Sequence, residues 1–361
     1  MEGQKGNPLT VDCLAAETEQ GADDAAALPS RLDRYSKARQ RALDMESFAR
    51  EAKHVKEADK LSSCGQYLLF RHYFTIDKVR LHAAEFCKQH LLCPLCAIRR
   101  GAKLLQSYLK SFEVILARSP DLKPYLVTFT VKNGSDLKER MAHVRKGLQF
   151  LHKARHRGRG VSEVEKAQAG VWSYEVTNKG KGWHPHAHAV WLCSTPPDQE
   201  KLREEWKAIT GDSFMVDVRP FSSDPVRAFC EVFKYAVKFS DLPESLTFEA
   251  YEALKGSRLV ASFGDFRGIE IPEEFEDETF ADDLPFIDML YRFHRAENGR
   301  QGWYNYVEIK RKMSGSPNDP PFRRNMGSKQ SIELPRAIKI HRLFQDSAGR
   351  IYQYSFYKDD E

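Results

Sequence analysis

Histidine alternates with small or apolar residues in the segment Trp183-His-Pro-His-Ala-His-Ala-Val-Trp191. Successive side chains of a β-strand point to opposite faces, so in a strand His184, His186 and His188 would share one face. Three imidazoles on one strand face, at least two of them able to reach one cation, favour a metal site over isolated core or surface histidines. The segment therefore predicts a strand that carries a metal centre.

A second strand is predicted over 171–177, and it would form a hairpin with the histidine strand, closed by residues 178–183. In the simplest register Glu175 lies opposite His186 and shares its face. A site of two histidines and one carboxylate suits Mn²⁺, Mg²⁺ or another divalent ion that keeps positions open for substrate oxygens. A slip of one residue would turn Glu175 away, so an exposed strand carboxylate is an equally good interpretation from these residues alone.

Segments with strand or helix periodicity surround this hairpin, in the order strand, helix, strand, strand, helix, strand and final helix. This βαββαβ order fits a ferredoxin-like antiparallel sheet with helices on one face, which is an α+β fold. The predicted strands are 125–131, 171–177, 186–192 and 214–219, and the predicted helices are 141–151, 198–209 and 224–239.

The final helix carries Glu231, Tyr235 and Lys238 at positions i, i+4 and i+7, which places them on one face. By itself this pattern is typical of an amphipathic helix with a polar surface. A tyrosine hydroxyl, with a pKa of about 10, is a poor nucleophile unless its ionisation is assisted. A nearby metal ion and a lysine would provide that assistance.

Cysteines cluster between residues 64 and 96 of a chain that has seven in total. The odd number, without a secretory signal, argues against a disulfide framework. Cys93-Pro-Leu-Cys96 has the spacing of two thiolates that bind one tetrahedral Zn²⁺, Cys87 is a natural third ligand, and Cys64 is a fourth for which His90 could substitute. Buried structural thiols or a redox pair are the alternatives, and we favour a structural zinc site.

Residues 138–159 contain eight Lys or Arg and one acidic residue. Such a run either neutralises nucleic-acid phosphates or forms a solvated helix face. The opposite bias, nine acidic residues and no basic one over 270–288, predicts a solvated face. The candidate DNA-binding residues of the basic run are Lys138, Arg145, Lys146, Lys153, Arg155, Arg157 and Arg159.

The amino-acid composition excludes several classes of protein. The chain has 361 residues, of which 41% are hydrophobic and 30% charged, so wholly disordered and coiled-coil classes are excluded. No apolar run approaches the roughly 20 residues of a membrane helix, and the first 30 residues lack the pattern of a signal peptide. We therefore expect a cytoplasmic protein with no membrane partner.

The sequence resembles the initiators of rolling-circle plasmid replication, within the HUH endonuclease superfamily. The resemblance covers residues 60–270 and rests above all on a histidine motif followed by a Glu-x-x-x-Tyr-x-x-Lys motif in the family's order. The matching segments are Cys64-Gly65, Cys87 to Cys96 with Arg99-Arg100 after it, 126–131, 175–178, His184-Pro-His-Ala-His188, Glu231 to Lys238, and 259–268.

The resemblance implies a role for each residue of these motifs. His186 and His188, with Glu175, would bind the catalytic Mn²⁺ or Mg²⁺, and His184 is a possible further ligand. Tyr235 would attack a phosphodiester of the origin, forming a 5′-phosphotyrosyl link and freeing a 3′-OH primer. In this family the place of Glu231 holds either a second tyrosine or a glutamate that activates water to end the round, and strand transfer is the other way to end it.

Lys238 would stabilise charge near the phosphate, and Arg99 and Arg100 would join the DNA-binding residues. The implied enzyme is a metal-dependent, site-specific DNA nickase and strand transferase. Its partners would be plasmid origin DNA and a host helicase and polymerase. The helicase is expected because the chain has no GxxxxGK[ST] loop for ATP-driven unwinding.

The implied organisation is a disordered tail (1–30), a helical and Cys-rich zinc module (31–120), an HUH endonuclease domain (121–270) and a C-terminal region of unknown role (271–361). Two late strands, 338–344 and 351–357, are predicted to pair as a hairpin. The alternatives are a non-catalytic origin-binding protein and an HUH-type transposase, although transposases usually carry two tyrosines on this helix. A small-molecule metallohydrolase would not need the basic helix.

Overall fold

The structure, a computed structural model, describes residues 11–18, 21–155, 162–221, 225–234, 242–278, 280, 284–295, 301–305, 340–345 and 351–356. The helices are α1 Val11–Ala15, α2 Leu28–Glu51, α3 Val55–Ser63, α4 Pro94–Arg118, α5 Leu137–Arg155, α6 Gln199–Thr210, α7 Pro225–Phe233 and α8 Glu244–Leu254. The strands are β1 Tyr67–Tyr73, β2 Lys78–Ala84, β3 Lys123–Thr130, β4 Ala167–Asn178, β5 Trp183–Cys193, β6 Val216–Pro220, β7 Val260–Phe263, β8 Ile287–Arg295, β9 Gln301–Asn305, β10 Ile340–Gln345 and β11 Ile351–Phe356.

The chain forms two compact units that interleave along the sequence. The first comprises Met1–Ala22, Lys37–Ser62 and Cys87–Phe275, and the second comprises Asp23–Ser36, Ser63–Phe86 and Glu276–Glu361. This division differs from the contiguous one expected from the sequence, because β1 pairs with β8, more than 200 residues further along the chain.

The first unit is built on a five-stranded sheet in the order β6-β3-β5-β4-β7, in which every neighbouring pair is antiparallel. Strands β3, β4, β5 and β6 and helices α5 and α6 correspond to the predicted βαββαβ elements, so the mixed α+β fold with an antiparallel sheet is confirmed. Strand β7, which the sequence analysis did not identify as a strand, extends the sheet at the outer edge of β4.

Helices cover both faces of this sheet. On one face α6 packs against the sheet through Trp206, whose ring centroid lies 5.0 Å from that of Phe129 on β3. On the other face α4 and α7 form a core with Val190 and Leu192 of β5. The prediction of helices on one face only was wrong, because both faces of β5 carry buried side chains towards the end of the strand, from 189 to 193, and both need cover.

Helix α1 belongs to the same core, since Leu14 and Ala15 are buried among residues of α4 and α7. In the second unit, Asp23 and Asp24 accept hydrogen bonds from Lys78 at 3.1 and 2.5 Å. The prediction of a disordered tail over 1–30 is therefore corrected for residues 11–18 and 21–30. Apolar burial anchors the first of these short segments, and ion pairs anchor the second.

The starts of α6 and α7 follow local sequence signals. The Asp198 carboxylate caps α6 by accepting hydrogen bonds from the backbone N–H groups of Glu200 and Lys201. Helix α7 begins at Pro225, as predicted from the position of that proline. It is described as far as Phe233, and the rest of the predicted helix, 235–239, lies outside the described residues.

The second unit contains an antiparallel sheet in the order β2-β1-β8-β9 and the hairpin β10-β11. The hairpin confirms the predicted pairing of the two late strands. The acidic segment is not only a solvated face, because Asp277 pairs with Arg31 and accepts a hydrogen bond from the backbone N–H of Leu81.

Among the described helices, none has the length and apolar character that crossing a membrane requires.

Candidate metal centre

The β4-β5 hairpin brings a carboxylate and two imidazoles together at the α7 face of the sheet. Its register pairs Glu175 with His186 and Ser173 with His188, as the sequence predicts. One ligand atom from each of Glu175, His186 and His188 lies within 4.8 Å of the others. We call these three side chains the metal triad, and their nitrogen and oxygen donors fit a divalent ion.

Both imidazoles of the metal triad turn the Nε2 atom towards the carboxylate. Nε2 of His188 lies 3.0 Å from Oε2 of Glu175, and Nε2 of His186 lies 3.7 Å from Oε1. The other ring nitrogen of His188, Nδ1, lies 3.2 Å from the Thr128 hydroxyl on β3. A hydrogen bond to the second ring nitrogen is the usual way in which proteins orient a metal-binding histidine.

Burial changes the pKa values of the triad side chains. The Glu175 side chain is 1% exposed. Burial by itself raises the pKa of Glu175, but the two histidines and the charge of Lys234 outweigh it and hold that pKa well below its usual range. Burial is also the largest influence on His188 and lowers its pKa, against the opposing effect of Glu175. The site thus favours an ionised carboxylate beside a neutral imidazole, the forms that bind metals.

His184 lies on the same strand face, next to the triad. Its ring centroid is 5.1 Å from that of His186, but His184 supplies no atom to the three-residue group. Its side chain is partly exposed, and burial is the largest cause of a lowered pKa. The structure therefore separates His184, a possible ligand in the sequence analysis, from the three residues that it brings together.

The end of α7 is joined to the triad by a lysine. Nζ of Lys234 lies 3.2 Å from Oε2 of Glu175 and 2.6 Å from Oε2 of Glu231. The Ser173 hydroxyl, two positions before Glu175 on β4, donates a hydrogen bond to the carbonyl oxygen of Val232. Lys234 is not among the residues predicted for the site, although its i, i+3 spacing from Glu231 is visible in the sequence. Tyr235 and Lys238 lie outside the described residues.

The cysteine cluster forms a second group that could hold a metal ion. Sulfur atoms of Cys87, Cys93 and Cys96 in the first unit all lie within 4.8 Å of one another, and those of Cys87 and Cys96 are 3.6 Å apart. Cys64, the predicted fourth ligand, belongs to the second unit. Cys93 directly precedes α4, so the C-x2-C pair spans the first turn of that helix. His90 is not in the group. Burial is the main cause that lowers its pKa to about 4.

The predicted DNA-binding residues differ in exposure and in the contacts they make. Arg99 is wrong as a candidate, because its buried guanidinium pairs with Glu17 at 3.0 Å and donates to the carbonyl of Phe275. Arg155 is partly used by the fold, since it donates to the carbonyls of Ala167 and Gln168. The candidates with exposed or partly exposed side chains are Arg100, Lys138, Arg145, Lys146 and Lys153. Arg157 and Arg159 lie outside the described residues.

Comparison with known proteins identifies the family. A family profile described as "Replication protein" matches residues 78–312, which include both clusters except Cys64. The chain belongs to the replication protein family. This membership confirms the resemblance to replication proteins, while the HUH chemistry of a single tyrosine stays a prediction.

Three curated relatives of this replication protein are each described as "Protein rep". The relative from Bacillus sp is 31% identical over 143 residues, 38% of this chain and 43% of the relative. The relative from Bacillus amyloliquefaciens is 27% identical over 180 residues, 46% of this chain and 50% of the relative. The relative from Staphylococcus aureus is 21% identical over 226 residues, 58% of this chain and 94% of the relative. The chain thus spans half or less of the length of the first two. No solved structure matches the chain significantly.

Proposed function

We propose that this protein initiates rolling-circle replication of a plasmid by nicking one strand at the origin. The observation that carries the proposal is the metal triad of Glu175, His186 and His188, which lies beside the end of α7 in a chain of the replication protein family. In the sequence, Tyr235 comes directly after Lys234, the residue that contacts this triad.

The arrangement of the first unit supports an HUH endonuclease core. Four strands in the order β6-β3-β5-β4 follow a βαββαβ chain order, and this combination supports a ferredoxin-like layout. Within that layout the two histidines lie on a central strand and Glu175 on its neighbour. The additional strand β7 and the helices α4 and α7 would then be elaborations of this core.

The reaction is the transfer of a DNA phosphoryl group to a tyrosine. The metal triad would hold a divalent ion such as Mn²⁺ or Mg²⁺, which would supply Lewis-acid polarisation of the scissile phosphate. The Tyr235 oxygen attacks phosphorus, a bond from that oxygen to phosphorus forms, and the bond from phosphorus to the 3′ oxygen breaks. The phenol loses its proton and the 3′ oxygen gains one, which leaves a 3′-OH primer and a 5′-phosphotyrosyl link.

Three polar residues in α7 or just after it in the sequence have different roles in the proposed reaction. Lys238 stabilises negative charge at the phosphate or on the ionised tyrosine. Glu231 acts as a general base that activates water, so that a round ends by hydrolysis of the phosphotyrosyl link. Reversal of the first step by a new 3′-OH gives strand transfer instead. Lys234, between Glu175 and Glu231, positions both carboxylates.

The remaining features complete the proposal. Cys64, Cys87, Cys93 and Cys96 would hold a structural Zn²⁺, because four thiolates close a tetrahedral shell and leave no position for chemistry. The exposed basic residues of α5 contact origin DNA. A host helicase and polymerase extend the primer, and the location is the cytoplasm, where plasmid DNA resides.

The test is a nicking assay on supercoiled plasmid that carries the candidate origin, with Mn²⁺ or Mg²⁺, beside the Tyr235→Phe variant. We expect a nick at one position, with protein attached to the 5′ end, and no product with the variant. Specific binding without a nick under any metal would identify a non-catalytic origin-binding protein and would remove the catalytic roles of Tyr235 and Glu231.

A further inference from the structure

A cavity on the α5 side of the sheet, lined by basic and aromatic side chains, has no role in the proposed nicking reaction. This α5 pocket has a volume of about 440 Å³, within the range of known ligand sites. Its wall includes Arg145, His152, Lys153, Trp172, Tyr174 and Arg258. Trp172 and Tyr174 alternate along β4 with Ser173 and Glu175, so these two aromatic residues and the metal triad belong to opposite faces of the sheet.

The aromatic residues of the α5 pocket form stacks with neighbouring planar side chains. The rings of Trp172 and His152 are stacked, with centroids 4.4 Å apart and planes inclined by 16°. The guanidinium of Arg145 lies 5.5 Å from the centroid of the Tyr174 ring. Nucleobases stack on such aromatic and guanidinium planes regardless of base identity.

The charges of the α5 pocket favour an anion. Among the described residues that line it there is no Asp or Glu, and none of Arg145, Lys153 and Arg258 pairs with a described carboxylate. Nη1 of Arg145 lies 3.4 Å from the Ser257 hydroxyl, whereas its buried Nε and Nη2 atoms have no hydrogen-bond partner among the described residues. Buried guanidinium N–H groups are costly without an acceptor, and a phosphate oxygen would satisfy them.

A second cavity shares lining residues with the α5 pocket and includes Lys234, which contacts the metal triad. This α7 groove is lined by Lys234 and Ser173 at one end and shares Tyr174 and Arg258 with the α5 pocket. Arg100 also lines it, and no described residue of its wall is acidic. Basic side chains therefore lie beside the triad at Lys234, in the wall common to both cavities at Arg258, and in the α5 pocket at Arg145.

We propose that the DNA strand held at the metal centre continues along the α7 groove and places one nucleotide, base and phosphate, in the α5 pocket. The base stacks on the aromatic wall, and Arg145 and Arg258 bind the adjoining phosphates. This inference rests on the proposed function, because that function identifies the bound strand as DNA of the plasmid origin. Binding of a strand is measurable without any cleavage.

The first test measures the binding of a fluorescein-labelled oligothymidylate to the full chain in EDTA. We expect the double variant R145Q/R258Q to bind about tenfold more weakly at ~0.1 M salt, and its salt dependence to fall by about 0.7 per lost phosphate contact. The charge-matched control is K201Q/K207Q, which removes two exposed lysines of α6, outside both cavities, and should bind like wild type. Equal binding by both double variants would overturn the proposal.

The second test uses the wild-type chain and so does not depend on the folding of a variant. A single strand carrying 5-iododeoxyuridine is photo-cross-linked and the adducts are mapped by mass spectrometry. Adducts at Trp172 or Tyr174 support the proposal, and adducts confined to other aromatic residues overturn it. If thymidine monophosphate binds as tightly as the strand and protects Trp172, the pocket holds a free nucleotide and the strand path is wrong.

The same proteins separate this inference from the proposed function. Tyr235→Phe should lose nicking yet bind the oligonucleotide and cross-link like wild type. A wild-type chain that cross-links at Trp172 but never nicks would contradict the nickase and leave the strand path standing. A chain that nicks but shows no change in R145Q/R258Q would contradict the strand path alone.

Discussion

The ammonium group of Lys234 lies 3.2 Å from Oε2 of Glu175. The same group lies 2.6 Å from Oε2 of Glu231, so one largely buried cation joins two carboxylates, one on β4 and one on α7. Burial by itself lowers the pKa of Lys234, but the two carboxylates outweigh it and raise that pKa, which keeps the lysine charged. The end of α7 is therefore held at the metal triad by an ion pair.

Replacing Lys234 by Gln should separate nicking from metal binding. We expect K234Q to bind Mn²⁺ at least as tightly as wild type, because a cation next to Glu175 is removed, and to nick about tenfold or more slowly, because reacting groups lose their alignment. Titration calorimetry and the plasmid assay measure the two effects. The variant K207Q is the control, and a K234Q protein that nicks at the wild-type rate would contradict this positioning role.

Removal of one imidazole tests the composition of the metal triad. Loss of a residue that only hydrogen-bonds to a metal ligand lowers metal affinity by up to roughly 100-fold. His188→Ala removes a ligand itself, so it should lower the affinity for Mn²⁺ by more than that. His184→Ala is the matched control on the same strand face, and it should change the affinity only slightly, because His184 supplies no atom to the group. Equal losses in the two variants would show that His184 is a ligand as well.

Glu231→Gln should separate the two halves of the reaction. The amide cannot accept a proton from water, so the 5′-phosphotyrosyl adduct should form but hydrolyse about a hundredfold or more slowly than in wild type. A denaturing gel with a labelled strand follows the adduct over time. An adduct that disappears at the wild-type rate would assign the hydrolysis step to another group.

The cysteine cluster should contain zinc in the purified protein. Cys93→Ser should lose the ion, measured by mass spectrometry of the metal, and should lower Tm, because zinc binding contributes to folding. Cys193→Ser is the control: Cys193 is buried outside the cluster, and burial is the main cause that raises the pKa of its thiol to about 12. Full zinc content in C93S would contradict the assignment.

Asp212 should make stability depend on pH. Burial by itself raises the pKa of Asp212, but Ser213, Arg140 and His143 outweigh it and lower that pKa to about 2. A carboxylate with a lowered pKa stabilises the fold above its ordinary pKa of 3.8, and this contribution is lost as the pH falls towards 2.

We expect Asp212→Asn to lower the free energy of unfolding at pH 7 by about 1 kcal/mol, since the Asp212 side chain is 37% exposed and solvent weakens its ion pairs. Urea unfolding of wild type and variant from pH 7 downwards should show the difference shrinking below pH 4. Asp217→Asn, which removes the partner of the exposed Arg219, should have a smaller effect. A difference that stays constant with pH would contradict the role of the ionised carboxylate.

The histidine strand is the part of the site that follows from the sequence alone. Alternation with a period of two predicts a strand with His184, His186 and His188 on one face, whereas the pairing of Glu175 with His186 was one of two interpretations, and the strand register of the structure selects it. The helix starts at Asp198 and Pro225 follow from capping chemistry within a few residues. Such features depend on neighbours in the chain, which a sequence displays directly.

The tertiary structure decided which charged residues meet. Arg99 looks like a DNA-binding residue in the sequence, but it is buried against Glu17, 82 residues earlier. Lys234 reaches Glu175 across 59 residues of chain, and β1 finds β8 more than 200 residues away. No local pattern encodes such partners, because they are chosen by the packing of whole elements and by the cost of burying a charge without an opposite one.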